Sequence, residues 1–315
     1  MSQTELLRAY HVTSNLDFWR EAGPAGADLM VPDHLLDSVT AWLESHDISH
    51  SVMVEDVEEL IQLSRPSNGT ARGMFDWTDY YPHADLNMFI QGLADTNEWA
   101  SIIDIGKSYE GRDMKVLALT KAGPGKPNIW LEAGIHAREW ISPAVGTWML
   151  NELLENAVNH PDLLSKLDWY FLPSVNPDGY QYSREVDRMW RKTTSWYEGD
   201  ECQGTDANRN WDFHWDQEEG SDTDSCSLNY RGPAPFSEVE IRNLRDFVLA
   251  HKEDIKYYQA LHSYRQMIIF PWGYTMDPAP GMSDLIEIQC LSLFMSQIMI
   301  GIWSWPIEVM RLCML

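Results

Sequence analysis

The stretch Asn128-Ile129-Trp130-Leu131-Glu132-Ala133-Gly134-Ile135-His136-Ala137-Arg138-Glu139-Trp140 decides the architecture. Its first half is a short, largely apolar run ended by a glycine, the pattern of a strand buried on both faces. An imidazole and a carboxylate then follow, three residues apart. In open α/β sheets, sites assemble at the carboxyl ends of strands. From a single turn there, His136 and Glu139 can reach one ion, supplying two of the three protein ligands of a zinc that keeps an open position. Alone, a His-x-x-Glu pair is commonly a surface ion pair or a satisfied histidine, and that alternative stays open at this point.

Outward from this stretch, apolar strand patterns alternate with helical ones from about residue 73, the mark of an α/β domain. Strands are predicted over 102–106, 114–119, 169–173 and 257–261. A helix follows the quoted stretch, with Ser142 as its cap and Pro143 in its first turn. Its apolar face is read as Val145, Trp148, Met149, Leu153 and Leu154. His262-Ser263-Tyr264 closes the strand predicted over 257–261 and precedes another apolar run at 267–270, so a third candidate ligand stands at another strand end. Two histidines and a glutamate this far apart suit a catalytic zinc rather than a structural finger. Arg188-Met189-Trp190-Arg191-Lys192 and Asp206-Ala207-Asn208-Arg209-Asn210-Trp211 set arginines beside tryptophans. A guanidinium can grip a carboxylate bidentately or steady an oxyanion. In a chain this acidic, it can equally form ordinary salt bridges.

The 315 residues carry a net charge of −25, which repels nucleic acid and anionic lipid and argues against either as a partner. Apolar residues make up 44% of the chain, enough for a globular core. The first five residues lack the basic and apolar regions of a signal peptide, which by itself points to the cytosol. Cys202 and Cys226 point the other way: they flank a polar loop and lack Cys-x-x-Cys spacing. A bridge between them would contribute about 3–4 kcal/mol; two buried thiols are the alternative.

The segment before residue 66 mixes short patterns. Glu5, Leu6 and Leu7 look helical; Leu35, Leu36, Val39, Trp42 and Leu43 recur at helical spacing behind Asp33 as a cap. Residues 51–54 read as a strand, and Val57, Leu60 and Ile61 as another amphipathic turn. Residues 64–73 are polar and rich in turn formers, an exposed linker with Arg65 and Arg72 open to a trypsin-like protease. Asn68-Gly69-Thr70 fits a glycosylation acceptor. Between Leu285 and Trp305 the chain is almost continuously apolar, with Cys290 inside and Cys313 beyond. Its length allows a membrane span, but it lacks a cap and an amphipathic face, so a membrane anchor is the less favoured reading.

Taken together, five motifs resemble the zinc metallocarboxypeptidases of the pancreatic A and B type. They are Gly134 to Trp140, Asn176-Pro177-Asp178-Gly179-Tyr180, Met189 to Lys192, Asp206 to Trp211, and His262 to Tyr264. They stand in the family's order across about residues 75–275. The resemblance implies a mixed twisted β-sheet flanked by helices, of the phosphorylase/hydrolase-like type, preceded by a small α+β open-sandwich propeptide. The domains implied are a propeptide over 1–72, a catalytic domain over 73–288 and a divergent tail over 289–315. By resemblance, His136, Glu139 and His262 hold one Zn2+ per chain. Arg191 polarises the scissile carbonyl, Asn208 and Arg209 grip the substrate's terminal carboxylate, and Arg138, Ser263 and Tyr264 line the next subsite.

Cys202 and Cys226 match the family's disulfide, and cleavage near Arg72 by a trypsin-like protease would release the mature enzyme. The implied activity is that of a secreted protease made as a zymogen, which hydrolyses the C-terminal bond of peptides and proteins. The family also uses a second glutamate, not a zinc ligand, as general base. The stretch after His262 is short and the family pattern fades after about Ile288. Glu308 has the wrong neighbours for that role, and the substrate-capping tyrosine and specificity pocket are not recognisable. The expectation is therefore a chain shortened at both ends and inactive as written. The competing reading is a zinc-containing binder of peptide C-termini without catalysis.

Overall fold

A computed structural model of the chain describes residues 2–14, 16–23, 26–64, 75–121, 125–156, 159, 161–217, 220–264, 268–269, 271–272, 275 and 277–283. The chain divides into two units, Met1–Leu63 and Ser64–Leu315. Arg72, the Asn68 triplet and the apolar stretch 285–305 lie outside the described residues.

In the first unit, helix α1 (Gln3–Ser14) leads into an antiparallel hairpin of β1 (Asp17–Gly23) and β2 (Gly26–Met30). Helices α2 (Leu36–Ser45) and α3 (Val57–Ser64) follow. Leu7, Leu16, Phe18, Val39, Leu43 and Ile48 pack into one core. Two local expectations are corrected. Asp33 does not cap α2; it opens a 3-10 turn, Asp33–Leu35, and the N-cap Leu35 makes no side-chain bond. Residues 51–54 form no strand, because Val52 and Met53 are exposed and their alternation buries nothing. The chain there instead leads to Asp56, whose Oδ1 accepts from the backbone N–H of Glu58 (2.8 Å) and Glu59 (3.2 Å) and so starts α3.

The second unit runs α4 (His83–Thr96), β3 (Ala100–Lys107), β4 (Asp113–Leu119), β5 (Asn128–Glu132), α5 (Ile141–Glu155), α6 (Pro161–Ser165), β6 (Asp168–Leu172), α7 (Pro177–Glu185), α8 (Val239–Ala250) and β7 (Ile255–Ala260). The strands pair in the order β3-β4-β6-β5-β7. β4 runs antiparallel to both its neighbours, β3 and β6, while β6, β5 and β7 run parallel, so the sheet is mixed. Alternation along β4 feeds both faces: Met114 and Val116 join Ile241, Leu244 and Phe247 of α8, while Leu117 and Leu119 join Ile90 of α4 and Leu150 of α5.

Helix α5 departs from its expected details. Its N-cap is Trp140, with no side-chain bond. Ser142 lies inside the first turn, where its hydroxyl donates to the Leu261 carbonyl at 2.6 Å and accepts from the Gly134 N–H at 2.9 Å. It therefore ties two strand ends together instead of capping. Gly146, Leu150 and Leu153 are buried toward the core, and Met149 and Leu154 of the expected face pack partly buried against it, whereas Val145 is exposed. Gly146 is needed for close approach: a Cβ there would stand 2.6 Å from the Phe171 ring.

Candidate metal centre

Strands β5 and β7 run parallel with Glu132 opposite Ala260, and the Leu261 N–H donates to the Glu132 carbonyl at 2.8 Å. Their carboxyl ends leave the sheet side by side. On the other flank, β6 continues the same pattern: Ala133 N–H donates to the Leu172 carbonyl, and the N–H groups of Val175 and Asn176 donate to the carbonyls of Ala133 and Gly134. Gly134 turns the chain at φ +66, a conformation that favours glycine, with Pro143 and Ser174 against it.

These strand ends bring three predicted ligands together. One ligand atom each from His136, Glu139 and His262 lies within 4.8 Å of the others. Glu139 Oε1 is 2.8 Å from His136 Nδ1, and Oε2 is 3.0 Å from His262 Nδ1. The Ser263 N–H donates to Glu139 Oε2 at 3.1 Å. His136 and Glu139 are buried, while the His262 side chain is 34% exposed, so one side of the group is open to solvent.

Asp206 completes the arrangement, and the sequence reading gave it no role. Fully buried, it places Oδ1 3.2 Å from His136 Nε2, and its Oδ2 accepts from Arg191 Nη2 (2.8 Å) and Nε (3.2 Å). A carboxylate on Nε2 selects the tautomer in which Nε2 carries the proton, leaving the Nδ1 lone pair facing His262 and Glu139. The signal was in the quoted motif, since Asp206 stands two residues before Asn208. Spacing alone does not say which way an acid points. Burial by itself pushes the carboxyls of Glu139 and Asp206 up. The neighbouring donors outweigh it and hold both well below the usual carboxylate range: His136 and His262 for Glu139, and Arg191 and His136 for Asp206.

Arg191 reaches the site because its segment is laced to the strand ends. Ala137 N–H donates to the Arg191 carbonyl at 3.0 Å, and Asn176 Nδ2 donates to the Lys192 carbonyl at 3.0 Å. Its Nη1 stands 3.4 Å from His136 Nδ1. The other predicted residues are less convergent. Arg138 directs Nη1 to the Met189 carbonyl at 3.4 Å, and its own carbonyl accepts from Arg188 Nη1 at 2.8 Å. Asn208 is exposed, its backbone N–H bonded to Asp206 Oδ1 at 2.9 Å. Arg209 donates through Nε to the Gly220 carbonyl and through Nη1 to the Asn208 carbonyl. Tyr264 is half-buried. Cys202 and Cys226 form a disulfide with Cα atoms 4.9 Å apart.

Two imidazoles and one carboxylate, with a carboxylate behind one of the rings, match the donor set and outer shell of a catalytic zinc. Residues 86–293 match the family described as zinc carboxypeptidase. The chain belongs to the zinc carboxypeptidase family. Residues 1–64 match the carboxypeptidase activation peptide, so the family's propeptide is present as well. Carboxypeptidase B of Astacus astacus is 48% identical over 213 residues, covering 67% of this chain and 70% of that protein. Zinc carboxypeptidase A 1 of Anopheles gambiae is 42% identical over 83% of this chain and 60% of its own length. The chain thus spans 60% to 70% of the length of these two relatives. The crystal structure of thrombin activatable fibrinolysis inhibitor superimposes with a TM-score of 0.83 at 31% identity, covering 96% of this chain and 79% of that one. Among the described residues, no helix is long and apolar enough to cross a membrane.

Proposed function

We propose that this zinc carboxypeptidase is a secreted zymogen that removes the C-terminal residue of peptides and proteins. The observation that carries the reading is the meeting of His136, Glu139 and His262 at two adjacent parallel strand ends, with Asp206 behind His136. His136 and His262 would hold zinc through the Nδ1 atoms that face Glu139, and Glu139 through its carboxylate. Zinc, when bound, supplies Lewis acidity, lowering the pKa of a coordinated water and polarising a carbonyl oxygen. Arg191 faces the same space from the Asp206 side and steadies negative charge developing on the scissile carbonyl.

Asn208 and Arg209 take the terminal carboxylate of the substrate. A guanidinium has five N–H donors, so the two backbone bonds of Arg209 leave capacity for a carboxylate. Arg138, Ser263 and Tyr264 contact the preceding residue. A trypsin-like protease cutting at Arg72 separates the activation peptide.

The test is metal content and exopeptidase activity of the purified chain after trypsin treatment. One zinc per chain is expected, with loss of that zinc in His262→Ala. Release of single C-terminal residues is expected, and chelation is expected to abolish it. A folded chain that takes up no zinc refutes the reading.

A further inference from the structure

Behind the ligand-bearing turns, a buried carboxylate links β5 to β7. Glu132 is the last residue of β5 and is only 2% exposed. Its Oε2 accepts from the Trp130 indole N–H at 2.9 Å, within its own strand, and from the Tyr258 hydroxyl at 2.6 Å, across to β7. Tyr258 is in register with Trp130, and the Glu132 carbonyl accepts from Leu261. The two strands are thus pinned to each other by a side chain and by the backbone at the same level. His136 comes four residues beyond Glu132, and His262 four residues beyond Tyr258.

A buried carboxylate is costly even when hydrogen-bonded, and apolar packing of the same volume would commonly be as stable. A carboxylate–phenol bond has a defined length and direction, which apolar contact lacks. We propose that Glu132 and Tyr258 are positioning residues for the metal: their bond sets the separation of β5 and β7, and with it the distance of His262 from His136 and Glu139. This rests on the reading of those three residues as ligands. Trp130 holds the carboxylate in the rotamer that faces β7, so the brace is fixed from both strands.

The test uses the full 315-residue chain with Tyr258→Phe, which removes one oxygen atom, and Glu132→Gln, which keeps the volume. Zinc affinity is measured by competition with a chelating dye, and ligand geometry by the visible spectrum of the cobalt-loaded protein. Thermal midpoints are taken in the presence of chelator. Outer-shell partners of metal ligands typically change affinity 10–100-fold. Tyr258→Phe is expected to weaken zinc about 10-fold and to shift the cobalt spectrum, with Glu132→Gln falling between it and the parent chain. Zinc affinity and cobalt spectra unchanged in both variants overturn the proposal, whatever happens to the midpoints, because a merely structural brace would move only those. A parent chain that binds no zinc overturns the ligand assignment and this inference together.

Discussion

Leu7, Leu16, Phe18, Val39, Leu43 and Ile48 hold the first unit together without a buried polar side chain among its described residues, whereas the second unit buries Glu132, Glu139, Asp178, Asp206, Glu238 and Glu240. Buried carboxylates destabilise unless they are paired. The second unit mostly meets that condition. Asp178 accepts from the Ser108 hydroxyl, the Glu110 N–H and Arg112 Nη1, and Glu238 accepts from Thr193, Ser195, Tyr197 and Ser237. An apolar core fixes volume and little else. A satisfied polar network fixes atoms in place, which is what a metal site and a substrate clamp require. The incomplete member is Glu240: its Oε1 accepts from the Tyr109 N–H at 2.8 Å, but Oε2 has no partner.

The largest expected break in this contrast is Asp206→Ala. It opens a buried ion pair with Arg191 and removes the group that orients His136. A stability loss of about 3–5 kcal/mol is expected by denaturant unfolding, together with about 10–100-fold weaker zinc. A loss below about 1 kcal/mol would show the network to be dispensable.

Next in size is the pH response of Glu240. Burial raises its carboxyl from its ordinary 4.5 to about 7, with Glu238 and Asp178 adding to the rise. The folded state then holds the proton more tightly than the unfolded chain. That contribution is fully present below pH 4.5 and is lost as pH climbs through about 7. The associated loss is about 3 kcal/mol. Glu240→Gln is expected to match the parent near pH 5, exceed it in stability at pH 8, and flatten the slope between; parallel profiles would remove Glu240 as the cause.

The smallest effect sharpens the comparison from the other side. Val39→Ala, in the apolar core of the first unit, should cost about 2 kcal/mol by calorimetry. Zinc affinity should stay unchanged and the loss should be the same at pH 5 and pH 8. Any change in metal affinity would break the division drawn here.

Much of the second unit was legible along the chain. The predicted strands appear within a residue or two, because alternation and apolar runs report local burial directly. The three residues that could hold a metal were legible as residue types at strand ends. Less was legible where a short polar side chain has several possible partners. Asp33 and Ser142 were read as caps, yet Asp33 opens a 3-10 turn and Ser142 bonds to Leu261, 119 positions away. The hairpin of β1 and β2 and the exposure of Val52 and Met53 were not read either, since a pattern of apolar residues does not name the surface that will cover them.

By itself, the sequence determined the strand and helix alternation, the residue types able to hold zinc, and membership of a peptidase family through motifs that keep their order. Only the tertiary structure decided that His262 meets Glu139 across 123 positions, that Asp206 turns toward His136 and Arg191, and that Glu132 bonds Tyr258. The reason is register. Local periodicity sets which face a side chain occupies, but which atoms meet depends on how β5, β6 and β7 align in the sheet, and that alignment is a property of the packed whole.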